Sequence, residues 1–269
     1  MKTILVTGGT SGIGLYIADR LVREGFQVFG TSRNPKAAKK KYDFELVALD
    51  ITSESSIQNC IHELQSRVGH LDVLINNAGI GICGSVEETS MELAEKQFQT
   101  NFWGTVKMTK AILPIMRQQR SGRIITIGSL AGLIGVPFQA FYAASKHALE
   151  GFMKSLRFEV SSFNIHVSVV QPGFFKTNLH HMFEYAAPCV SDYDHLRDHA
   201  MKTFADGIDK APLPEPVAEA VVKAVIAPKP EYSYRVGTDA TWLPRLQFFT
   251  PRFYEKGLEH KFSPKRLLG

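Results

Sequence analysis

Thr7-Gly8-Gly9-Thr10-Ser11-Gly12-Ile13-Gly14 is a stretch whose residue types and spacing suit phosphate binding. The β-branched run Thr3-Ile4-Leu5-Val6-Thr7 leads into it with the character of a buried parallel strand. Ile13, Ile17, Leu21 and Val22 follow at helical spacing, and Gly25 stands where a helix C-cap would sit. The glycines therefore fall on a strand-to-helix turn, where unpaired backbone N–H groups and the positive end of the helix dipole can hold a pyrophosphate. A side chain would block the turn or the phosphate's approach. The spacing Gly8-x3-Gly12-x-Gly14 differs from the G-x-G-x-x-G of the commoner dinucleotide fingerprint. Glycines also close turns that bind nothing, so the position after an N-terminal strand is what points to a nucleotide.

A second candidate lies at the end of the next strand, Gln27–Ser32, where Arg33-Asn34-Pro35 follows. In a dinucleotide fold this tip faces the adenosine ribose, and an acidic residue there bonds the 2′-hydroxyl of NAD. Here the tip carries Ser32 and Arg33. A guanidinium suits a phosphate that a carboxylate would repel, so NADP(H) is expected as cofactor, with NAD(H) second. The bland alternative is that Arg33 is only a surface loop residue. Lys36, Lys39, Lys40 and Lys41 either add attraction or form a solvated helix face.

The elements that must position these groups alternate along the chain. Glu45–Leu49 reads as a third strand ending at Asp50-Ile51, with Ser53 as N-cap of a helix through about Val68. Asp50 is placed either to bond an adenine amino group or to close the strand end. Val73–Ile75 is a fourth strand running into Asn76-Asn77-Ala78-Gly79, whose small residues permit close approach of a ligand and whose polar pair suggests bonds between neighbouring strands. Met91 to Gln119 is mainly helical, with Pro114 expected to kink or divide it. Asn101 falls inside that helix, where an asparagine usually faces solvent.

Arg123–Ile127 is a fifth strand, followed by Gly128-Ser129. Tyr142-Ala143-Ala144-Ser145-Lys146 opens an amphipathic helix to about Phe163, and Tyr142 and Lys146, at i and i+4, share one face of it. His166–Val170 is a sixth strand ending in Gln171-Pro172-Gly173. Pro216–Ala227 reads as a helix and Ser233–Val236 as a seventh strand. This alternation predicts an α/β fold of the Rossmann type: a doubly wound, mostly parallel seven-stranded sheet flanked by helices, in a single domain over residues 1–269.

Composition narrows the class. A hydrophobic fraction of 44% and a charged fraction of 21% are ordinary for a water-soluble globular chain. The net charge of +5 comes from 31 basic residues that are spread out, which speaks against nucleic acid as a partner. Cys60, Cys83 and Cys189 show no C-x-x-C spacing, so neither a disulfide framework nor a zinc site is indicated. His180-His181 and the pair His195/His199 lack a glutamate or third ligand at a recognisable spacing, so no metal is expected. No stretch approaches the 18 apolar residues of a membrane span, and Met1-Lys2 leads straight into the first strand. A cytoplasmic location is the expectation.

Taken in order, Thr7-Gly8-x3-Gly12-x-Gly14, Asn76-Asn77-Ala78-Gly79, Asn101, Ser129, Tyr142-x3-Lys146 and Pro172-Gly173-x3-Thr177 closely resemble the motif set of the short-chain dehydrogenase/reductase family, over roughly residues 3–177 and more weakly to about 237. The resemblance implies that Thr7, Gly8, Ser11, Gly12, Ile13 and Gly14 line the pyrophosphate turn and that Asp50 and Ile51 meet the adenine. It implies that Asn76, Asn77, Ala78 and Gly79 border the nucleotide and steady the central strand. Pro172, Gly173 and Thr177 would lie at the nicotinamide, with Thr177 holding its carboxamide. Asn101, Ser129, Tyr142 and Lys146 would form a catalytic tetrad, with Tyr142 and Lys146 also at the cofactor.

The chemistry makes sense of these types. Carbonyl reduction needs a proton for the oxygen that becomes negative, and Tyr142 can donate it. An unperturbed tyrosine has a pKa of about 10, and lowering it by about three units takes roughly 4 kcal/mol of differential stabilisation, which a close ammonium such as Lys146 helps to supply. Ser129 would align the substrate oxygen, and Asn101 would anchor a water chain that resupplies protons through Lys146. The pattern departs from some NADP-preferring members in having Ser11 where they carry a basic residue, so Arg33 must do most of the 2′-phosphate recognition.

Residues 174–214 would then form a substrate lid, with Phe174, Phe175, Met182, Phe183 and Tyr185. Together with Leu130, Val136 and Phe138 they suggest a pocket for a hydrophobic ketone or secondary alcohol, although packing is the better reading for any one of them. The C-terminal extension, 238–269, mixes aromatics with basic residues and is interrupted by Pro244 and Pro251. It reads as packing over the pocket or against a subunit rather than as an uninterrupted membrane-surface helix. The family usually forms dimers or tetramers through helices equivalent to 102–119 and 143–163. A carbonyl reductase is the leading expectation. A nucleotide-sensing protein without turnover would be expected to lose Tyr142 or Lys146, and this chain keeps both.

Overall fold

The computed structural model describes residues 1–37, 41–176, 183–187 and 189–262. Its centre is β1 (Thr3–Val6), every residue of which is buried. Successive strand side chains point to opposite faces. Ile4 and Val6 therefore join one core with Ile17 and Leu21 of α1 (Gly12–Arg23) and Val217, Val221 and Val225 of α7 (Glu215–Ile226). Leu5 joins the other core, with Ile57, Ile61 and Leu64 of α2 (Glu54–Arg67), Met108, Ile112 and Met116 of α4 (Gly104–Gln119), and Met153 and Leu156 of α5 (Ala140–Val160).

The strands around β1 are β2 (Gln27–Ser32), β3 (Glu45–Ala48), β4 (Val73–Asn76), β6 (Gly122–Ile127), β7 (Ile165–Pro172) and β9 (Ser233–Val236). They lie in the order β3-β2-β1-β4-β6-β7-β9, and every pairing is parallel. The doubly wound, seven-stranded sheet of the sequence reading is what forms. The order reverses between β1 and β4, and a crevice at the C-terminal ends of the strands opens at such a reversal.

Three features depart from the sequence reading. The long helical stretch is interrupted at a π turn, Gln99–Trp103, between α3 (Met91–Phe98) and α4, and not at Pro114. Pro114 and Lys110, whose carbonyl loses its helical donor, both lie on the exposed side of α4, where water can replace that bond. A second, two-stranded sheet pairs β5 (Gly81–Cys83) with β8 (Phe183–Tyr185), tying the chain after β7 to the loop after β4. The C-terminal stretch forms two helices, α8 (Thr238–Phe249) and α9 (Pro251–Phe262). Pro244 does not break α8, because Ala240, Leu243 and Leu246 hold the helix on Leu130 and Ile134. Pro251 occupies the first turn of α9, where its missing N–H costs no bond. Between β8 and α7 lies α6 (Asp194–Asp209), packed on α9 through Phe204 and Phe262. Among the described residues no helix is long and apolar enough to cross a membrane.

Candidate active site

The glycine turn is held from beneath by the start of the next loop but one. The Thr7 hydroxyl accepts from the backbone N–H groups of Asn77 (2.9 Å) and Ala78 (3.0 Å). In return the Asn77 side-chain amide donates to the carbonyls of Thr7 (3.0 Å) and Gly8 (3.1 Å). A Cβ on Gly14 would overlap the Asn77 amide nitrogen and the Gly8 carbonyl, and one on Gly8, at φ +65°, would come within 3.1 Å of the Ala78 Cα. Gly12, at φ +52°, needs glycine for its backbone alone. Ser11 caps α1 without a side-chain hydrogen bond, and the first turn carries no acidic residue. The N–H groups of Gly12, Ile13 and Gly14 are those a helix cannot bond internally, so they are free for an anion. An orphaned donor set at a helix N-terminus, with open space beside Gly12, is what a pyrophosphate requires.

Ser32 ends β2, and Arg33 stands exposed beyond it, close enough for its charge to act on Asp50. The hydroxyl and backbone N–H of Thr52 donate to Asp50 Oδ1, at 2.7 and 2.9 Å, and with Arg33 they hold the carboxyl below its usual range. Among the described residues Oδ2 takes no hydrogen bond. Ile51 turns inward against Gly104, where a Cβ would come within 2.7 Å of its side chain and 2.9 Å of its carbonyl oxygen. Asn76 also turns inward: its amide donates to Thr109 (3.1 Å) and Thr126 (3.4 Å), linking β4 to α4 and β6. The side chain therefore serves the strand-steadying half of its expected role. Lys39 and Lys40 fall outside the described residues.

Ser129 follows β6, and its hydroxyl caps the short turn Leu130–Gly132 by accepting from Ala131 N–H at 3.1 Å. That hydroxyl also stands near enough to Tyr142, in the first turn of α5, to act on its phenol. Burial pushes the Tyr142 hydroxyl up from its ordinary value, and the Ser129 hydroxyl works against that shift. One turn on, the Lys146 Nζ lies 5.9 Å from the centroid of the Tyr142 ring and donates to the Ile127 carbonyl at 2.9 Å. Burial pulls the Lys146 ammonium down to about 8, and the carboxylate of Glu150, a further turn along α5, opposes the fall. The protein alone thus gives a raised tyrosine beside a lysine close to neutrality.

Asn101 is buried in the π turn and not solvent-facing. Its Oδ1 accepts from Ile80 N–H (2.9 Å), and its amide donates to the Ile80 carbonyl (3.0 Å) and to Ser145 (3.3 Å). Gln97, one turn earlier, brackets the same strand by donating to the Ile80 carbonyl (2.7 Å) and accepting from Ile82 N–H (2.8 Å). Gly79 passes close by, its Cβ position 3.2 Å from Asn101 Oδ1. Sequence reasoning missed Gln97, Ser145 and Glu150. All three lie at helical spacing from named residues, which was the one signal available.

Pro172 ends β7, and Gly173 donates to the Val236 carbonyl at 2.9 Å. Asp239, in the first turn of α8, fills the space a Gly173 side chain would need and accepts from Phe174 N–H at 2.8 Å. Thr177, His180, His181 and Met182 lie outside the described residues. Of the apolar candidates, Phe175 belongs to the sheet core beside Val217, which corrects its assignment to the pocket. Val136, Phe138 and Phe174 pack instead with Phe204 and Phe262. His199 is engaged with the Lys261 carbonyl at 3.0 Å, and among the described residues no group of three metal-ligating side chains converges.

Residues 2–186 match the family model for short chain dehydrogenases, and the chain belongs to that family. It is 44% identical to 3-ketodihydrosphingosine reductase of Bacteroides thetaiotaomicron over 176 residues, a match spanning 65% of either chain and so just under two thirds of that protein. It is 34% identical to retinol dehydrogenase 8 of Bos taurus over 93% of this chain and 86% of that one. Its structure overlays that of a short-chain dehydrogenase from Streptomyces avermitilis with a TM-score of 0.82, at 29% identity and 96% coverage of both chains. Two further structural neighbours carry cofactor: ElxO with NADP bound (TM-score 0.71, 26% identity, 87% of this chain and 96% of that one), and a Burkholderia phymatum family member in complex with NAD (0.79, 21%, 94% of each), the latter a likeness of fold. The protein is an oxidoreductase of the short-chain dehydrogenase family.

Proposed function

We propose that the protein is an NADP(H)-dependent carbonyl reductase and alcohol dehydrogenase, acting on a hydrophobic ketone or secondary alcohol with Tyr142 as general acid/base. The observation that carries this reading is the convergence of Ser129, Tyr142 and Lys146 beside a glycine turn whose N–H groups are free for a pyrophosphate. Gly8, Gly12, Ile13 and Gly14 would hold the diphosphate, Asp50 Oδ2 the adenine amino group, and Ser32 and Arg33 the 2′-phosphate. When bound, the nicotinamide supplies or accepts the hydride. Tyr142 holds the proton for the substrate oxygen, Ser129 orients that oxygen, and Lys146 favours the tyrosinate by its charge. Asn101 positions the wall at Ile80.

A hydrophobic substrate is supported by the lid, residues 174–214, where Phe174 and Phe204 face Val136 and Phe138. Two relatives named for 3-ketodihydrosphingosine and retinol, both long apolar molecules, agree with it. A homodimer or homotetramer through residues 102–119 and 143–163 is supported by exposed Trp103 and Phe158. The decisive experiment is NADPH and NADH binding by nicotinamide fluorescence, then oxidation of NADPH against a panel of hydrophobic ketones. Tyr142→Phe should remove turnover and leave cofactor binding nearly intact, and a variant still active would reject the proton-donor role. Arg33→Asp should weaken NADPH far more than NADH, and equal losses would reject the 2′-phosphate role.

A further inference from the structure

Helices α8 and α9 carry a concentration of exposed aromatic surface that the active site does not use. Trp242 is 57% exposed, Phe248 79%, Phe249 75% and Phe253 70%. These side chains share a surface. On α8, Trp242, Arg245, Phe248 and Phe249 recur at three- and four-residue spacing on the side opposite Ala240, Leu243 and Leu246, which pack inward. On α9, Phe253, Lys256 and His260 recur at the same spacing opposite Tyr254, Leu258 and Phe262. The Phe248 and Phe249 rings touch edge to face at 5.0 Å, and the Arg245 guanidinium lies over the Trp242 ring at 5.2 Å.

The charges set among these rings, Arg245 and Lys256, are basic. Arg245, Arg252 and Lys256 are exposed, and among the described residues none of them pairs with an acidic side chain. Asp239 turns inward to Gly173, and Glu255 and Glu259 occupy the flank of α9 that carries Arg252, away from Phe253. Rings with a polar or cationic edge, set among unpaired guanidinium and ammonium groups, match the chemistry of a headgroup region over an acyl boundary. A subunit interface of the same size favours depletion of lysine and closure of its charges by partners.

We propose that the outward face of α8 and α9 docks the protein on an anionic membrane surface, with Trp242, Phe248, Phe249 and Phe253 entering the interface and Arg245 and Lys256 meeting lipid phosphates and carboxylates. The surface lies at the working end of the molecule. Asp239 ties α8 to Gly173 and Phe174, and α9 packs on α6 of the lid. An apolar substrate could then pass from bilayer to pocket without crossing water. The docking itself does not depend on which substrate that is.

The test is sedimentation of the full chain with vesicles of phosphatidylcholine alone and of phosphatidylcholine with phosphatidylserine, together with Trp emission. The chain should sediment with the anionic vesicles and much less with the neutral ones. Emission should shift to the blue on binding, and Trp242→Phe, which leaves only Trp103, should lose the shift. Phe248→Ser/Phe249→Ser should cut partitioning about tenfold or more, the factor expected when aromatic area is withdrawn from the interface. Arg245→Glu/Lys256→Glu should abolish the preference for anionic lipid. Turnover of a water-soluble ketone should stay unchanged in both variants, which shows them folded. No sedimentation with either vesicle would overturn the proposal, as would partitioning that survives the double serine change. A fall in solution mass for Phe248→Ser/Phe249→Ser would assign the surface to a second copy of the chain instead.

Discussion

Lys146 is buried and Tyr142 half-buried, and burial acts oppositely on them: it favours the neutral amine of one and the neutral phenol of the other. Lys146 titrates near 8 in the folded chain against 10.5 when free. Between those values the unfolded chain holds a proton that the folded one has released, so this group makes stability rise with pH through that window. Turnover that needs the ammonium behaves the other way and fades as pH climbs through about 8. Glu150 is the carboxylate that keeps Lys146 charged, and it is itself held by the Gln171 amide at 2.9 Å and pushed up by burial. His147 and Lys154 act on Glu150 from α5, and the Tyr232 hydroxyl reaches it from the segment before β9. Glu150→Gln should move the alkaline limb of the pH–rate profile to lower pH, with less change at acidic pH. A limb that stays in place would show that Glu150 only fills space. The Tyr142–Lys146 pair was legible as an i, i+4 spacing. Glu150 continues the same spacing, but a glutamate four residues from a lysine usually marks a solvated pair, and only the fold reveals that this one is buried.

At the scale of elements, the sequence displayed the sheet because each strand is a run of β-branched and apolar residues, and it displayed the glycine turn because backbone geometry there excludes other types. It did not display the π turn. The irregularity sits at Gln99–Trp103 because Gln97 and Asn101 must both reach the backbone of Ile80, a contact set by the fold and not by local propensity. Three-residue β5 and β8 are likewise too short for any period to emerge. Their pairing is reinforced by Glu88, whose carboxylate accepts from the N–H groups of Cys189 (3.2 Å) and Val190 (3.3 Å), from Ser85, and from the Arg197 guanidinium. Burial alone would raise this carboxyl, and the hydrogen bonds hold it low instead. Its contribution is present above the ordinary carboxylate range and is lost as pH falls through the lowered value. Glu88→Gln should loosen the attachment of residues 189–197, raising KM for a bulky ketone several-fold while leaving NADPH affinity in place. Limited proteolysis should find residues 189–197 newly accessible. A variant with unchanged KM and unchanged cleavage would remove Glu88 from substrate binding.

At the scale of the whole molecule, the sheet reverses between β1 and β4, which gathers Thr7, Asn77, Ser129 and Gly173 at one end although they span most of the chain. The part least legible in the sequence is how the last helices complete that end. Asp239 lies in the first turn of α8, where an acidic side chain favours the dipole. In the structure its Oδ2 accepts from Phe174 N–H at 2.8 Å and its Oδ1 from Ala240 N–H at 2.9 Å, while its carboxyl group occupies the space beside Gly173. The C-terminal helices are thereby coupled to the turn expected at the nicotinamide. Asp239→Asn keeps the shape but offers one acceptor oxygen where the carboxylate offered two, so either Phe174 or Ala240 loses its partner. A backbone donor left unbonded at a part-buried site costs about 1–3 kcal/mol. The variant should unfold at lower urea concentration, with an unfolding free energy smaller by about that amount. It should bind a full dinucleotide more weakly than wild type, yet bind adenosine 2′,5′-bisphosphate, which lacks the nicotinamide half, with unchanged affinity. Equal loss for both ligands would mean that Asp239 supports the sheet as a whole, and no loss for either would uncouple α8 from the site.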